Sequence, residues 1–503
     1  MGAGPLSSCV AALCDEVLPH VGEPAGEQVR RVRQRLDEPL RVALAGRLKA
    51  GKSTLVNALI GRRVAPTEVG ECTRVVTQFR YGTVDRVDVV RRDGDRVSLP
   101  LDEAGMIPQR LGVPRGEVAY VDVTLTTDNL RALTVIDTPG LASTNRSVSA
   151  GAERFLFADT TAPLDEDLDA DSVGAISGAE AIAYVFTQSV RDDDLAALEA
   201  FRSVSARLAG NPINSVGLFN KADKLVDGVA DPWPVAGPLA AAQAAVLRRV
   251  VSDVVPVVGL LAETTEAGRL TAGDCEALRV LSQLPPAEKA VLLASVDLFT
   301  ARPCPVPRPQ RERLLALLDL YGIGFSLAQL TAHPQLGSGE LVRMLLAASG
   351  FPRLRQTLDQ TFRWRTDAIK AGWALSTLER TAGTAGAARD RELLRDAIER
   401  VLQRPEYHRL RLLEVAQLVT TGAVELPETM EQELTRLALS QDPQWILGLP
   451  TAGADQLARA AVDAAARWRV YAVAGASPAQ SRVAQVAHRG FHLLSQRVRE
   501  TAS

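Results

Sequence analysis

An α/β domain built on a mostly parallel sheet, joined to an elongated all-α helical bundle, is the fold class this sequence predicts. Three observations carry it. From Arg41 to about Leu261, short apolar runs alternate with stretches of helical spacing, the pattern of strands covered by helices on both faces. Beyond Leu261 the strand signals stop, and Leu, Ala and Arg recur at helical spacing to the end. At 503 residues the chain is also too long for one hydrophobic core, so two or three structural units are expected.

In chain order, residues 7–37 have helical spacing, with Val10, Leu13, Val17, Val29, Val32 and Leu36 on the apolar side. The candidate strands are Val42–Ala45, Val75–Tyr81, Val87–Arg91, Val118–Thr124, Leu133–Ile136, Ile182–Phe186, Val216–Phe219 and Val254–Val258. Asp93-Gly94 predicts a hairpin, an antiparallel addition at one edge. After Leu261, prolines at 305, 307, 352, 405, 443, 450 and 478 punctuate eight to ten expected helices. One of them is expected to run from Leu354 through Leu378. The division expected is 1–40 as a helix belonging with the bundle, 41–262 as the α/β domain and 263–503 as the helical half.

Composition narrows the function. Apolar residues make up 46% and charged residues 23%, as in a folded globular chain. A net charge of −3 argues against a nucleic-acid partner and requires that any attraction to anionic lipid be local. The five cysteines, Cys9, Cys14, Cys72, Cys275 and Cys304, form no zinc or redox spacing, which fits a reduced cytoplasmic setting. Met1–Leu6 reads as neither a signal peptide nor a myristoylation site. The uncharged stretch Leu320–Gly339 carries Gln329, His333, Pro334 and Gln335, so it is not read as a membrane span.

The chemistry lies in three motifs. Gly46-Arg47-Leu48-Lys49-Ala50-Gly51-Lys52-Ser53 follows the first strand and leads into Thr54-Leu55-Val56-Asn57. It fits G-x-x-x-x-G-K-[ST], in which backbone N–H groups at a helix N-terminus cradle phosphates. Gly46, Lys49, Ala50, Gly51, Lys52, Ser53 and Thr54 are the expected phosphate contacts. Lys52 would reach the β- and γ-phosphates and Ser53 would ligate Mg²⁺. Asp137-Thr138-Pro139-Gly140 follows another strand. It places a carboxylate, Asp137, where Mg²⁺ must be held, and a Gly140 amide where the γ-phosphate is sensed. Asn220-Lys221-Ala222-Asp223 follows a third. Asp223 can accept both the N1–H and the exocyclic amine of guanine, which adenine cannot offer. Asn220 would brace the loops and the Lys221 stem would cover the base. This motif turns a nucleotide site into a GTP/GDP site. The loop after the last strand, with Gly259 and Leu260, is the expected backbone contact to the guanine oxygen. A threonine must also close over Mg²⁺ and the γ-phosphate; on spacing alone Thr67, Thr73 and Thr77 compete.

Together with Asn57-Ala58-Leu59-Ile60-Gly61 and Cys72-Thr73-Arg74, these motifs resemble the dynamin superfamily of large GTPases, most closely actinobacterial dynamin-like proteins of the isoniazid-inducible type. The resemblance covers 41–262 with specific motifs. It implies that Thr73, in its Cys-Thr-Arg context, is the closing threonine and third Mg²⁺ contact after Ser53 and Asp137. It also implies that the helical half is a neck and trunk, with the helix in 7–37 packing on Val483–Val498. Two positions depart from the eukaryotic pattern. Leu48 stands where those proteins carry a water-orienting glutamine. Lys49 stands where they carry a serine that holds a monovalent cation, so its ammonium could supply that charge itself and join Lys52 and Thr73 in catalysis.

The resemblance further implies GTP hydrolysis coupled to membrane remodelling, tethering, fusion or fission. It implies a homodimer through the GTPase domains, and a cytoplasmic protein peripherally associated with the inner face of the plasma membrane. A paralogous dynamin-like protein or septal proteins are the further partners it suggests. A GTP-regulated scaffold at the division or sporulation septum is the alternative. Trp445–Pro450 and the basic turn Arg404–Arg411 are the candidate lipid contacts, with Arg363, Trp364, Arg365 and Trp373 as weaker ones.

Overall fold

The computed structural model describes residues 4–47, 49–67, 75–138, 179–187, 214–247, 250–359, 366–420, 422, 424–440, 442–474 and 476–502, with isolated positions 190, 195, 198 and 362. Chain contacts divide it into two compact units. One contains Pro39–Phe201 and Asn214–Trp364; the other contains Met1–Glu38 and Arg365–Ser503.

The first unit is built on nine strands: β1 (Leu40–Gly46), β2 (Thr77–Tyr81), β3 (Arg86–Arg91), β4 (Arg96–Leu99), β5 (Val118–Leu125), β6 (Leu133–Asp137), β7 (Ala181–Phe186), β8 (Ser215–Asn220) and β9 (Val254–Val257). Their order is β4-β3-β5-β2-β6-β1-β7-β8-β9. From β6 through β1, β7 and β8 to β9 every pairing is parallel. Each of these strands is an apolar run buried almost throughout, as strands covered on both faces must be. The antiparallel hairpin β3–β4 closes the opposite edge beside β5. All eight expected strands form. β4, whose residues alternate between exposed and half-buried, was legible only as the far arm of the hairpin.

This unit does not stop at the expected boundary of 262. Helices Gly259–Glu266, Ala272–Ser282, Arg308–Ala332 and Ser338–Ala348 share one apolar core, in which Leu261, Leu278, Leu314, Leu317 and Leu345 are buried. Helix Arg308–Ala332 is long and apolar enough to cross a membrane by length and composition, but here it is a core helix of the sheet unit.

Among the described residues the second unit is helical, with two apolar cores. One joins helices Pro405–Thr420, Glu428–Leu439, Ala454–Val473 and Pro478–Ala502 around the buried Trp468, whose indole Nε1 donates to Glu433 at 3.0 Å. The other joins helices Pro5–Val17 and Ala25–Asp37 to Thr366–Thr384 and Ala388–Leu402. The expected pairing of the N-terminal helix with Val483–Val498 is therefore corrected: its core partners lie between Ala371 and Tyr407. Polar groups at the helix ends set this choice. Asp367 accepts the Leu6 and Ser7 amides at 2.9 and 2.8 Å, at the positive end of one helix. Lys370 donates to the Arg35 carbonyl at 2.9 Å and also to the Glu38 carbonyl, at the negative end of the other. Of the helix expected from Leu354 through Leu378, Phe351–Leu358 and Thr366–Thr384 are helical, and residues 360, 361 and 363–365 lie outside the described residues.

Candidate active site

The motifs meet at the C-terminal edge of the parallel strands, where ligands bind in open α/β sheets. β1 ends at Gly46, whose φ is +140°; an added Cβ would lie 2.1 Å from the Val185 carbonyl oxygen. Only glycine lets the loop leave the strand here. Lys49 follows with φ +63° and its side chain exposed, then Gly51 with φ +92°. Helix Lys52–Ile60 begins immediately after. Ala50 and Lys52 are buried, while Ser53 and Thr54 are half-buried in the first turn. The Lys52 ammonium donates to the carbonyls of Gly46 at 3.1 Å and Arg47 at 3.0 Å, so it lies folded under the loop. Burial pushes its pKa down, against the pull of the Asp137 carboxylate.

Asp137 ends β6, beside β1. The Ser53 hydroxyl donates to Asp137 Oδ2 at 2.7 Å. Burial raises the Asp137 pKa, with Lys52 and Ser53 opposing it. Asp137 Oδ1 is buried and has no hydrogen-bond partner among the described residues. A hydroxyl and a carboxylate in contact, with one oxygen unspent, are hard oxygen donors of the kind Mg²⁺ takes. The residues present fit the ion. The neighbouring Thr138 hydroxyl donates to the Leu44 carbonyl at 2.8 Å and ties this strand end to β1.

Asn220 ends β8 and is 2% exposed. Its Nδ2 donates to the Ala50 carbonyl at 2.8 Å, and its Oδ1 accepts the Gly259 amide at 2.9 Å. One amide thus links the phosphate loop to the loop after β9. This corrects the role expected of Gly259: its N–H is given to Asn220 rather than held out to a base. Its missing Cβ matters too, because an added one would lie 2.8 Å from Asn220 Oδ1. Leu260 follows, half-buried, in the first turn of helix Gly259–Glu266. Lys221, exposed and with φ +61°, turns the chain into the short helix Ala222–Leu225 that presents Asp223. Asp223 is buried, and burial raises its pKa against the influence of Lys224, 3.6 Å away.

Thr73, Gly140 and Leu48 lie outside the described residues. Of the competing threonines, Thr77 is a buried β2 residue in register with Asp137, and Thr67 is exposed. His488 Nδ1 donates to the Ala465 carbonyl at 2.9 Å, a contact inside the helical unit. No cluster of three or more metal-ligating side chains occurs among the described residues.

Motif reasoning did not reach Glu263. It is buried, with burial raising its pKa, and accepts from Asn57 Nδ2 at 2.7 Å. Asn57 Oδ1 accepts the Val64 and Ala65 amides at 3.0 and 2.8 Å. The pair therefore fixes the chain just after helix Lys52–Ile60 to helix Gly259–Glu266. An acid inside the run Leu260-Leu261-Ala262-Glu263 was the available signal.

A glycine loop, the Ser53–Asp137 hydroxyl–carboxylate pair and the Asn220–Asp223 loop on one sheet edge have the layout of a P-loop nucleotide-binding protein. The model of the dynamin family matches residues 42–164. The chain is 32% identical over 449 residues to the isoniazid-induced protein IniC of Mycobacterium tuberculosis, covering 88% of this chain and 87% of that one. It is 31% identical over 118 residues to a bacterial dynamin-like protein of Nostoc punctiforme, covering 21% and 17%. It is 35% identical over 139 residues to the GTPase Der of Desulforudis audaxviator, covering 26% and 28%. The chain belongs to the dynamin family of large GTPases.

Proposed function

We propose that the chain binds Mg²⁺ and GTP, hydrolyses GTP to GDP and phosphate, and couples this cycle to tethering or remodelling of a membrane that it meets peripherally. The observation that carries the reading is the Asn220 brace between Ala50 and Gly259. It sets the base loop and the phosphate loop in one frame. In this reading Lys52 turns from the loop carbonyls to the phosphate oxygens. Ser53 and Asp137 hold the ion, which when bound neutralises charge on the β- and γ-phosphates. Asp223 accepts the guanine edge, and the Lys221 stem covers the base. Thr73 and Gly140 carry the γ-phosphate contacts that are lost on hydrolysis. Lys49, exposed at the loop mouth, stabilises the charge of the transition state. GTP pairs two GTPase domains face to face, and the helical unit delivers the motion at the inner face of the plasma membrane.

Burial in the helical unit narrows the lipid candidates. Trp445 is 49% exposed, whereas Ile446 is buried and Leu447 and Leu449 pack on the core. The expected basic turn Arg404–Arg411 is instead helical from Pro405 on; Tyr407 and His408 are buried there and the Tyr407 hydroxyl donates to the Leu6 carbonyl at 2.8 Å, a packing role. Trp373 packs on the N-terminal core with Arg35 over its ring. Val470 and Val473, at 63% and 81% exposed, add apolar surface at the end of helix Ala454–Val473. Trp445, Val470 and Val473 are the assigned lipid contacts. The test is GTP turnover and co-sedimentation with phosphatidylglycerol-containing vesicles. Vesicle binding and GTP turnover are expected, with binding lost in Trp445→Asp combined with Val473→Asp. Absence of turnover under both conditions would overturn the reading. Vesicle binding and assembly without any change in vesicle shape would favour the septal scaffold.

A further inference from the structure

Helix Arg308–Ala332 is broken once, at Asp319, whose φ is 53° and ψ 179°. That region of backbone space is nearly reserved for glycine, and L-residues hold it only where their surroundings impose it. Glycines stand three and five residues further on, at 322 and 324, yet the break falls on an aspartate. Its backbone groups are provided for. The Leu317 carbonyl accepts the Thr264 hydroxyl at 2.6 Å, and the Leu320 amide donates to Asp319 Oδ1 at 2.7 Å. A strained aspartate held this firmly marks a function rather than a lapse in packing.

The second carboxylate oxygen identifies that function. Asp319 Oδ2 accepts the Lys224 ammonium at 2.7 Å. The same ammonium lies 3.6 Å from Asp223 Oδ2. Lys224 is thus shared by two carboxylates, and the nearer is the one that does not face the base. Asp223 is 7% exposed and must leave both oxygens to guanine donors to read the base. A lysine one residue along the chain is the natural competitor for it. The turn holds Lys224 close by, since its amide donates to the Lys221 carbonyl at 2.9 Å.

We infer that Asp319 is a positioning residue for guanine readout: it draws the Lys224 ammonium off Asp223, so that the buried carboxylate stays open to the base. The inference rests on the reading of Asp223 as the guanine acceptor. It also gives helix Arg308–Ala332 a stake in nucleotide affinity, although none of its residues need touch the nucleotide. Without the Asp319 charge, Lys224 closes on Asp223 and competes with the base.

The test is calorimetric titration of the full chain with GDP in Mg²⁺ buffer, alongside steady-state GTP turnover and thermal melting. Asp319→Asn keeps an oxygen for the Leu320 amide and removes the charge. It is expected to weaken GDP binding by about threefold to tenfold, the scale of one partly exposed ion pair, with the loss in turnover appearing in KM rather than kcat. Lys224→Ala is expected to bind GDP at least as tightly as the wild type. The double variant is expected to recover wild-type affinity to within about twofold, because the competitor is gone. Asp319→Gly is expected to lose affinity like the asparagine variant while melting no lower than the wild type, since glycine relieves the backbone strain. Unchanged GDP affinity in Asp319→Asn would overturn the inference, as would a double variant as weak as the single one. A wild-type chain that fails to bind GDP would overturn the guanine reading itself, and the inference with it.

Discussion

Replacing Asn220 by alanine tests the brace that organises the site. The side chain is 2% exposed and makes one hydrogen bond to each of two loops, 2.8 Å to the Ala50 carbonyl and 2.9 Å from the Gly259 amide. Alanine leaves a carbonyl and an N–H unpartnered where the protein had excluded water. Each such group costs ~1–3 kcal/mol, and partial entry of water lowers the sum, so a loss of ~2–4 kcal/mol is expected. In a unit this large, ~2 °C of Tm follows each kcal/mol, giving a fall of ~4–8 °C without nucleotide. Because Ala50 precedes Gly51 and Lys52, the phosphate loop loosens as well, and GDP should dissociate ~10-fold faster. Asn220→Asp is the companion variant. It keeps the acceptor for Gly259 but sets an oxygen against the Ala50 carbonyl, so it should be no more stable than the alanine. Calorimetry of the nucleotide-free chain and stopped-flow release of a fluorescent GDP read the two effects. A Tm within ~1 °C of wild type, with unchanged release, would refute the claim that this amide holds the two loops together.

Two further outcomes are expected. Lys49→Ala should lower GTP turnover by more than ~10-fold with little change in affinity, as for a charge that acts only in the transition state; unchanged turnover would leave its ammonium an ordinary exposed charge. His408 is buried and neutral, its pKa lowered to about 4 by burial and by the nearby Arg489 charge. The unfolded chain therefore binds a proton that the folded chain refuses. Stability from this group is present above its ordinary value of 6.5 and is lost as pH falls from 6.5 towards 4. Tm of the wild type should drop more steeply across that window than Tm of His408→Leu, and parallel slopes would remove the assignment.

The amino-acid sequence alone determined the parts that depend on neighbours along the chain. Strands buried on both faces read as unbroken apolar runs, so β1, β6, β7, β8 and β9 were legible individually, and their crossovers implied a parallel sheet. Gly46–Ser53, Asp137 and Asn220–Asp223 were legible as motifs because each sits at a fixed offset from a strand end, and the structure brings them to one sheet edge. Only the tertiary structure decided what those residues do to one another. It gave the Gly259 amide to Asn220, brought Glu263 to Asn57 across 206 positions, and turned Asp319 towards Lys224. It also chose helix partners. The Leu- and Ala-rich faces of the C-terminal helices are nearly interchangeable by periodicity, so hydrophobic pattern could not say which of them receives residues 7–37. The choice fell to Asp367 and Lys370, whose charges meet amides and carbonyls at the ends of the two N-terminal helices. Apolar burial is nearly indifferent to which partner provides it. Unsatisfied backbone groups at helix ends are not, and they set the pairing.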